Sequence, residues 1–199
     1  MVQRLIDDIR KALDNDLYFV ALGSALTLPD ICGKAEYPTE DSSRKRYIEW
    51  YDNEIGQYER SSNSISKEPM PYLSGEVMYN LRCALLHEGN PNINNNELVR
   101  RNSLPIDRFK LKIESKKEIE IYSDSSSIET GVVQNVRSYT MSIRRICWIL
   151  CAVAERYYVD NKGKFHFNYE IVDWDKETEN IHPISRDEVI EALLNTEEL

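Results

Sequence analysis

One string of the 199-residue chain concentrates side chains able to move protons and hold anions: Leu73-Ser-Gly-Glu-Val-Met-Tyr-Asn-Leu-Arg-Cys-Ala-Leu-Leu-His-Glu-Gly89. It sets Arg82 and His87 five positions apart. Arginine is a permanent cation suited to charge on phosphoryl oxygens. A histidine near a helix C-terminus, where the macrodipole favours a cation, can carry a proton. Together they fit attack of an RNA 2′-hydroxyl on the adjacent phosphate, with His87 as acid/base and Arg82 as phosphate stabiliser. That chemistry calls for neither a metal nor a cofactor.

The segment that must position them is marked at both ends. Ser74 is a helix N-cap, Glu76 suits the first turn, and Gly89 suits the C-terminal cap, which predicts a helix over Gly75 to His87. Five residues correspond to roughly 140 degrees around a helix axis, so one copy does not easily bring both side chains to one atom. A twofold axis near the helix would bring two such pairs into one cleft, and the spacing therefore predicts a homodimer. A structural reading of the same residues stands beside this one. A histidine beside a C-terminal glycine can cap its own helix, and Arg82 can pair with a carboxylate such as Asp30 or Glu76.

Other constellations carry less. Asp30-Ile31-Cys32 sets an acid beside a thiol, yet neither His166 nor His182 comes with a hydrolase triad pattern. Cys147-x-x-x-Cys151 puts two thiols on one helical face, and zinc would need two more ligands. The twelve tyrosines are explained more economically by core and interface packing than by base stacking.

Hydrophobic residues make up 41% of the chain and charged residues 30%, the composition of a globular protein, and the length fits one domain spanning 1–199. The formal net charge of −9 excludes a long-range attraction to nucleic acid, so any such contact must be local. Short basic clusters occur at Arg44-Lys45-Arg46, Arg100-Arg101 and Arg144-Arg145. Cys32, Cys83, Cys147 and Cys151 lie in apolar, helix-like surroundings, where a free thiol acts as a small hydrophobe rather than half of a disulfide. The longest apolar run, Ile146 to Ala154, is far short of the roughly 20 residues a membrane span needs. With an amphipathic rather than signal-like N-terminus, the chain reads as cytoplasmic with no membrane partner.

Val2, Leu5, Ile6, Ile9 and Leu13 form the stripe of a first amphipathic helix. Leu17 to Leu28 is apolar nearly all round, as expected of a buried helix, with Pro29 and Gly33 closing the segment. Ser42 or Ser43 caps a helix to about Arg60, facing inward through Tyr47, Ile48, Tyr51 and Ile55. Ser61 to Lys67, Asn90 to Asn102 and Ser123 to Ser127 read as loops. Phe109, Leu111 and Ile113, then Ile119 and Ile121, alternate as a small antiparallel hairpin over about 105–123. Val136, Tyr139, Ile143, Ile146, Leu150, Val153 and Tyr157 recur at helical spacing and predict one long helix from about Val132 to Tyr158. Phe165 to Ile171 alternates as a third strand, and Ser185-Arg186-Asp187-Glu188 after Pro183 is a capping box that opens a last helix. The expected fold is mainly α, a helical bundle with a small inserted hairpin.

The Arg82-x-x-x-x-His87 spacing, on a helix that ends at Gly89 in a helical body, resembles the catalytic motif of the HEPN superfamily (higher eukaryotes and prokaryotes nucleotide-binding). The strings Ala21-Leu-Gly-Ser-Ala-Leu-Thr-Leu-Pro-Asp-Ile-Cys-Gly33, Leu73-Ser-Gly75 and Leu81-Arg-Cys-Ala-Leu-Leu-His-Glu-Gly89 look like those of a group of bacterial HEPN-like proteins, across roughly the first half of the chain. The resemblance implies a HEPN-like bundle and a metal-independent endoribonuclease that works as a dimer, in defence or stress response, with Arg82 and His87 catalytic. The alternative is a non-catalytic HEPN-like module that binds a nucleotide, RNA or a protein, or a pure assembly module with an apolar dimer face and Arg82 buried in an ion pair. Cys83 stands where the nucleases usually carry a polar residue. Gly89 stands where toxins paired with a nucleotidyltransferase carry a tyrosine, so that partner is not implied.

Overall fold

The computed structural model describes residues 1–59, 73–89, 108–113, 121–129, 132–167, 172, 174, 185–187 and 189–190. These are mostly helical with a small sheet. In chain order they form α1 (Val2–Asp14), α2 (Tyr18–Ala25), α3 (Leu28–Glu36), α4 (Ser43–Tyr51), a π turn (Asp52–Gly56), α5 (Gln57–Glu59), α6 (Gly75–Glu88), β1 (Arg108–Lys112), β2 (Ile121–Glu129), β3 (Val132–Ser142) and α7 (Ile143–Asp160). Residues Met1–His166 make one compact unit and Phe167–Leu199 a second.

The stripe of α1 is as the spacing predicts, with Val2, Ile6, Ile9 and Leu13 buried and Leu5 packed partly against them. The expected helix from Leu17 to Leu28 is two helices. The chain turns at Leu26-Thr27, and Pro29 falls in the first turn of α3, where its missing N–H has no helical partner to lose. Nor is α2 buried all round. Ala21, Leu22 and Ala25 face the core, while Phe19 and Val20 are more than half exposed.

Gly33 does not close α3; it lies inside it. A Cβ there would stand 2.7 Å from the Arg46 carbonyl oxygen, so the missing side chain lets α3 lie directly on the backbone of α4. Gly75 does the same for α6, where a Cβ would stand 2.6 Å from the Ile48 carbonyl oxygen. The helices carrying Asp30 and Arg82 therefore both rest on α4. That helix is capped by Ser42, whose hydroxyl accepts from the Lys45 N–H at 3.3 Å. It buries Tyr47, Trp50 and Tyr51, with Ile48 only partly covered, and runs on through Ile55 of the π turn. Asp52 of that turn accepts the Gly75 N–H at 2.8 Å, tying the start of α6 to the end of α4.

The sheet departs from the expected hairpin. Its order is β1-β3-β2: β1 pairs with β3 in parallel, Phe109 opposite Tyr139, and the antiparallel hairpin is β2 with β3, Glu129 opposite Val132. Ser123 to Ser127, read as a loop, belongs to β2. The long helix starts at Ile143 rather than Val132, because Val132, Val133, Val136 and Thr140 are β-branched and favour strand, and Ser142 is an N-cap accepting from the Arg145 N–H at 3.4 Å. Tyr139 and Met141, two apart, are buried with strand periodicity. Beyond Ser142 the predicted face holds, with Ile143, Ile146, Leu150 and Tyr157 buried.

Phe165 to Phe167 is not a strand, and the remainder of that predicted strand, the loops at Ser61 to Lys67 and Asn90 to Asn102, Arg100-Arg101, Ile119 and His182 lie outside the described residues. In the second unit the Val189 N–H donates to the Ser185 carbonyl at 3.2 Å, a helical turn where the capping pattern places one. Among the described residues no helix is long and apolar enough to cross a membrane.

Candidate functional site

Helix α6 begins and ends as its caps dictate. The Ser74 hydroxyl accepts from the Val77 N–H at 3.3 Å, and Gly89 takes φ 63°, the left-handed conformation that glycine adopts without a steric cost. Its buried face is Val77, Met78, Leu81 and Ala84, so Arg82 and Cys83 are turned toward the rim of the core and His87 reaches solvent in the last turn.

Arg82 and His87 meet within one chain: Arg82 Nη1 lies 3.1 Å from His87 Nε2. The 140-degree separation that seemed to keep them apart describes where their Cα atoms sit, not how far the side chains reach. A helical side chain leans toward the N-terminus, which brings the His87 ring back over the preceding turn, and the long arginine stem spans the rest. Arginine has no acceptor, so a hydrogen bond between the two is one that Arg82 donates and Nε2 accepts.

Asp30, in the first turn of α3, fixes the arginine. Arg82 Nε donates to Asp30 Oδ2 at 2.8 Å, and both side chains are more than three-quarters covered. The pairing with a carboxylate expected from the sequence is therefore present, with Asp30 rather than Glu76. Burial pushes the Asp30 carboxyl up from its ordinary value, and Arg82 pulls it back only in part. Burial works against the Arg82 charge, but Asp30 and Cys83 outweigh it and the guanidinium is held more firmly protonated. Cys83 Sγ lies 3.9 Å from Arg82 Nη1.

Two groups that spacing alone did not single out complete the cluster. The Tyr79 ring, one turn before Arg82, has the Arg82 guanidinium 5.8 Å from its centre and the Arg44 guanidinium of α4 5.9 Å from it. Tyr79 in turn meets the buried Tyr47 edge to face at 5.3 Å. The spacing of Tyr79 and Arg82, three apart on a helix, could have suggested the first contact. Nothing local to the sequence could have brought Arg44 there. The Tyr47 hydroxyl is wholly buried and has no hydrogen-bond partner among the described residues.

The remaining candidates lie elsewhere. Arg144 donates to the Leu13 carbonyl at 3.0 Å and closes the end of α1, and Arg145 pairs with Glu59 at 3.3 Å. Cys32, Cys147 and Cys151 are buried in the core, where burial raises each thiol, Cys32 to about 12 and Cys151 to about 11. His166 is exposed and away from the cluster's described contacts. No protein-family model, curated protein or solved structure matches the chain.

Proposed function

We propose that the protein is a metal-independent endoribonuclease of HEPN type, with His87 as acid/base and Arg82 as phosphate stabiliser. The observation that carries this reading is the 3.1 Å contact between Arg82 Nη1 and His87 Nε2 at the open end of α6, with Asp30 holding the arginine from behind. A phosphodiester entering here replaces the arginine–histidine contact. Its non-bridging oxygens take the guanidinium, and the freed Nε2 lone pair faces the 2′-hydroxyl. His87 removes the 2′ proton as the 2′-oxygen bonds to phosphorus. The bond to the 5′-oxygen breaks, and that oxygen takes up a proton, leaving a 2′,3′-cyclic phosphate and a 5′-hydroxyl.

Attacking and leaving oxygens lie in line on opposite sides of phosphorus, so one histidine is poorly placed to serve both. A second copy of the chain, in a homodimer, supplies the other proton carrier. Leu86, the residue before His87, is exposed and lies close to Gly23 of α2, the helix that also exposes Phe19 and Val20, and these apolar residues are offered for that contact. Sedimentation should give a dimer at micromolar concentration.

Cleavage of single-stranded RNA in the presence of EDTA tests the reading. Removing a positioned acid/base group or charge stabiliser typically costs about 10²- to 10⁴-fold in rate, so His87→Ala and Arg82→Ala should each abolish detectable cutting while circular dichroism stays native. Equal cutting by wild type and His87→Ala would assign the activity elsewhere.

The covered Arg82–Asp30 pair favours a second reading, a HEPN-like module that binds a nucleotide, RNA or a protein without cutting it. A wild-type protein that leaves a broad RNA set intact would decide for it.

A further inference from the structure

Arg44 stands beside the proposed catalytic pair, with no part in the chemistry assigned above. It comes from α4, and its guanidinium shares the Tyr79 ring with that of Arg82, which places the two guanidinium carbons no more than about 12 Å apart. The neighbours on α4 are engaged elsewhere: Lys45 Nζ is 2.6 Å from Glu40, and Arg46 donates to the Glu40 carbonyl. Arg44 is 42% exposed, and its contact with Glu76 at 2.6 Å occupies one nitrogen, Nη2. Arg44 is the more exposed partner of this pair, and a phosphate entering from solvent competes with the carboxylate for its guanidinium. The guanidinium is nevertheless kept in place, because the tyrosine ring holds it from one side and α4 is locked to α6 through Gly75.

We infer that Arg44 is a second phosphate-binding group, bracketed to Arg82 by Tyr79, and that the site takes a single-stranded polynucleotide through two phosphates rather than a mononucleotide through one. The inference rests on the nuclease reading for the role of Arg82 but concerns binding, which is measured apart from cleavage. With a chain of net charge −9, binding has to come from such local pairs of cations. Tyr79 is a positioning residue here, its ring in contact with both guanidinium groups and with Tyr47.

The test measures binding of a fluorescent single-stranded RNA oligomer to His87→Ala protein, which cannot consume it, across a salt series. Each phosphate neutralised on a single strand contributes a salt slope of about 0.7, so adding Arg44→Gln should reduce the slope by about that amount. The dissociation constant should rise about two- to fivefold, the worth of one exposed charge contact. Uridine 3′-monophosphate, with one phosphate, should bind equally to both proteins. Lys45→Gln should leave the oligomer slope unchanged. If Arg44→Gln does not fold, Glu76→Gln, which frees Arg44 from its carboxylate, should tighten oligomer binding, and no change there would overturn the inference. It is equally overturned by an unchanged slope in Arg44→Gln, by an equal loss in Lys45→Gln, or by an equal loss for the mononucleotide. Wild type that cuts RNA while Arg44→Gln binds normally sinks the second phosphate site alone. An Arg44-dependent slope in a protein that cuts nothing sinks the nuclease reading and leaves this one standing.

Discussion

Helix α3 carries two carboxylates that are built into similar clusters with different outcomes. Asp30, in its first turn, meets Arg82, whose guanidinium is 5.8 Å from the centre of the Tyr79 ring. Glu36, in its last turn, meets Lys164, whose ammonium is 5.9 Å from the centre of the Tyr157 ring. Each cluster has one acid, one cation and one tyrosine. At Glu36 the contacts close on themselves: the Tyr157 hydroxyl and Lys164 both donate to the carboxylate, and the Tyr157 ring is wedged between Trp50 and Phe165. At Asp30 they run outward, since the arginine spends Nε on the acid and Nη1 on an exposed histidine. An ion pair on an aromatic ring is therefore no sign of a site by itself. What separates the two is that the cation of one reaches on to an exposed histidine, whereas both donors of the other end on the carboxylate.

The sharpest way to break this contrast is to neutralise each acid in turn. Asp30→Asn keeps the shape of the side chain but weakens its grip on Arg82, and a misplaced catalytic group costs on the order of a hundredfold. RNA cleavage by Asp30→Asn should fall about tenfold to a hundredfold, mainly in kcat, while Glu36→Gln should cut at the wild-type rate. Equal losses in the two variants would make Asp30 a structural acid like Glu36 and remove the distinction.

The parts of this contrast that could be read in advance are those set by neighbouring residues. Ser74, Glu76 and Gly89 obey capping rules that act over four residues, and the ends of α6 follow them. The apolar stripe of α1 needs only helical periodicity. Misreadings arose where two local rules competed or where a distant partner decided. At Val136 and Tyr139 a three-residue interval matched a helix, but the β-branched run and the Ser142 cap assign them to β3. Local rules make Gly33 a stop and Gly75 the first residue of a capped helix, and the close approach that both permit appears only once α4 is seen against them. The Asp30–Arg82 pair was foreseen as a chemical possibility, whereas the Arg82–His87 contact was not, because rotation about a helix axis says nothing of side-chain reach. Arg44 at Tyr79 depends on how two helices cross, which no local spacing encodes.

A smaller effect comes from the closed cluster. Tyr157→Phe removes a hydroxyl that donates to Glu36 while leaving the buried ring in place. A hydrogen bond to a charged acceptor contributes about 1.5–3 kcal/mol, reduced here because Lys164 still serves the carboxylate, so a loss of about 1–2 kcal/mol is expected. For a chain of this size that corresponds to a fall in melting temperature of about 2–8 °C. RNA affinity and cleavage should not move. A Tyr157→Phe protein that melts normally but cuts poorly would place the closed cluster in the site after all.

The smallest effect is a difference in sign. Lys164 and the Tyr157 hydroxyl hold the Glu36 carboxyl below its ordinary value of 4.5, so the folded protein binds its proton less well than the unfolded chain. The stability it contributes is fully present above that ordinary value and is lost as pH falls through the lowered one. Asp30 behaves in the opposite way. Burial outweighs Arg82 and raises its carboxyl above the ordinary 3.8, so the folded protein binds this proton more tightly. Its contribution is greatest at low pH and declines as pH rises through the raised value. Urea unfolding of wild type, Glu36→Gln and Asp30→Asn over a series of pH values isolates each acid, because all other groups cancel in the differences. The advantage of wild type over Glu36→Gln should shrink as the solution is acidified below about pH 4.5, by less than about 1 kcal/mol for a group this near the surface. The difference between wild type and Asp30→Asn should move against wild type as pH rises above about 3.8. Parallel curves for the two variants would mean that both acids sit in the same electrostatic setting. Arg82 would then hold Asp30 as completely as Lys164 holds Glu36, with no strain left to bias the arginine toward an incoming phosphate.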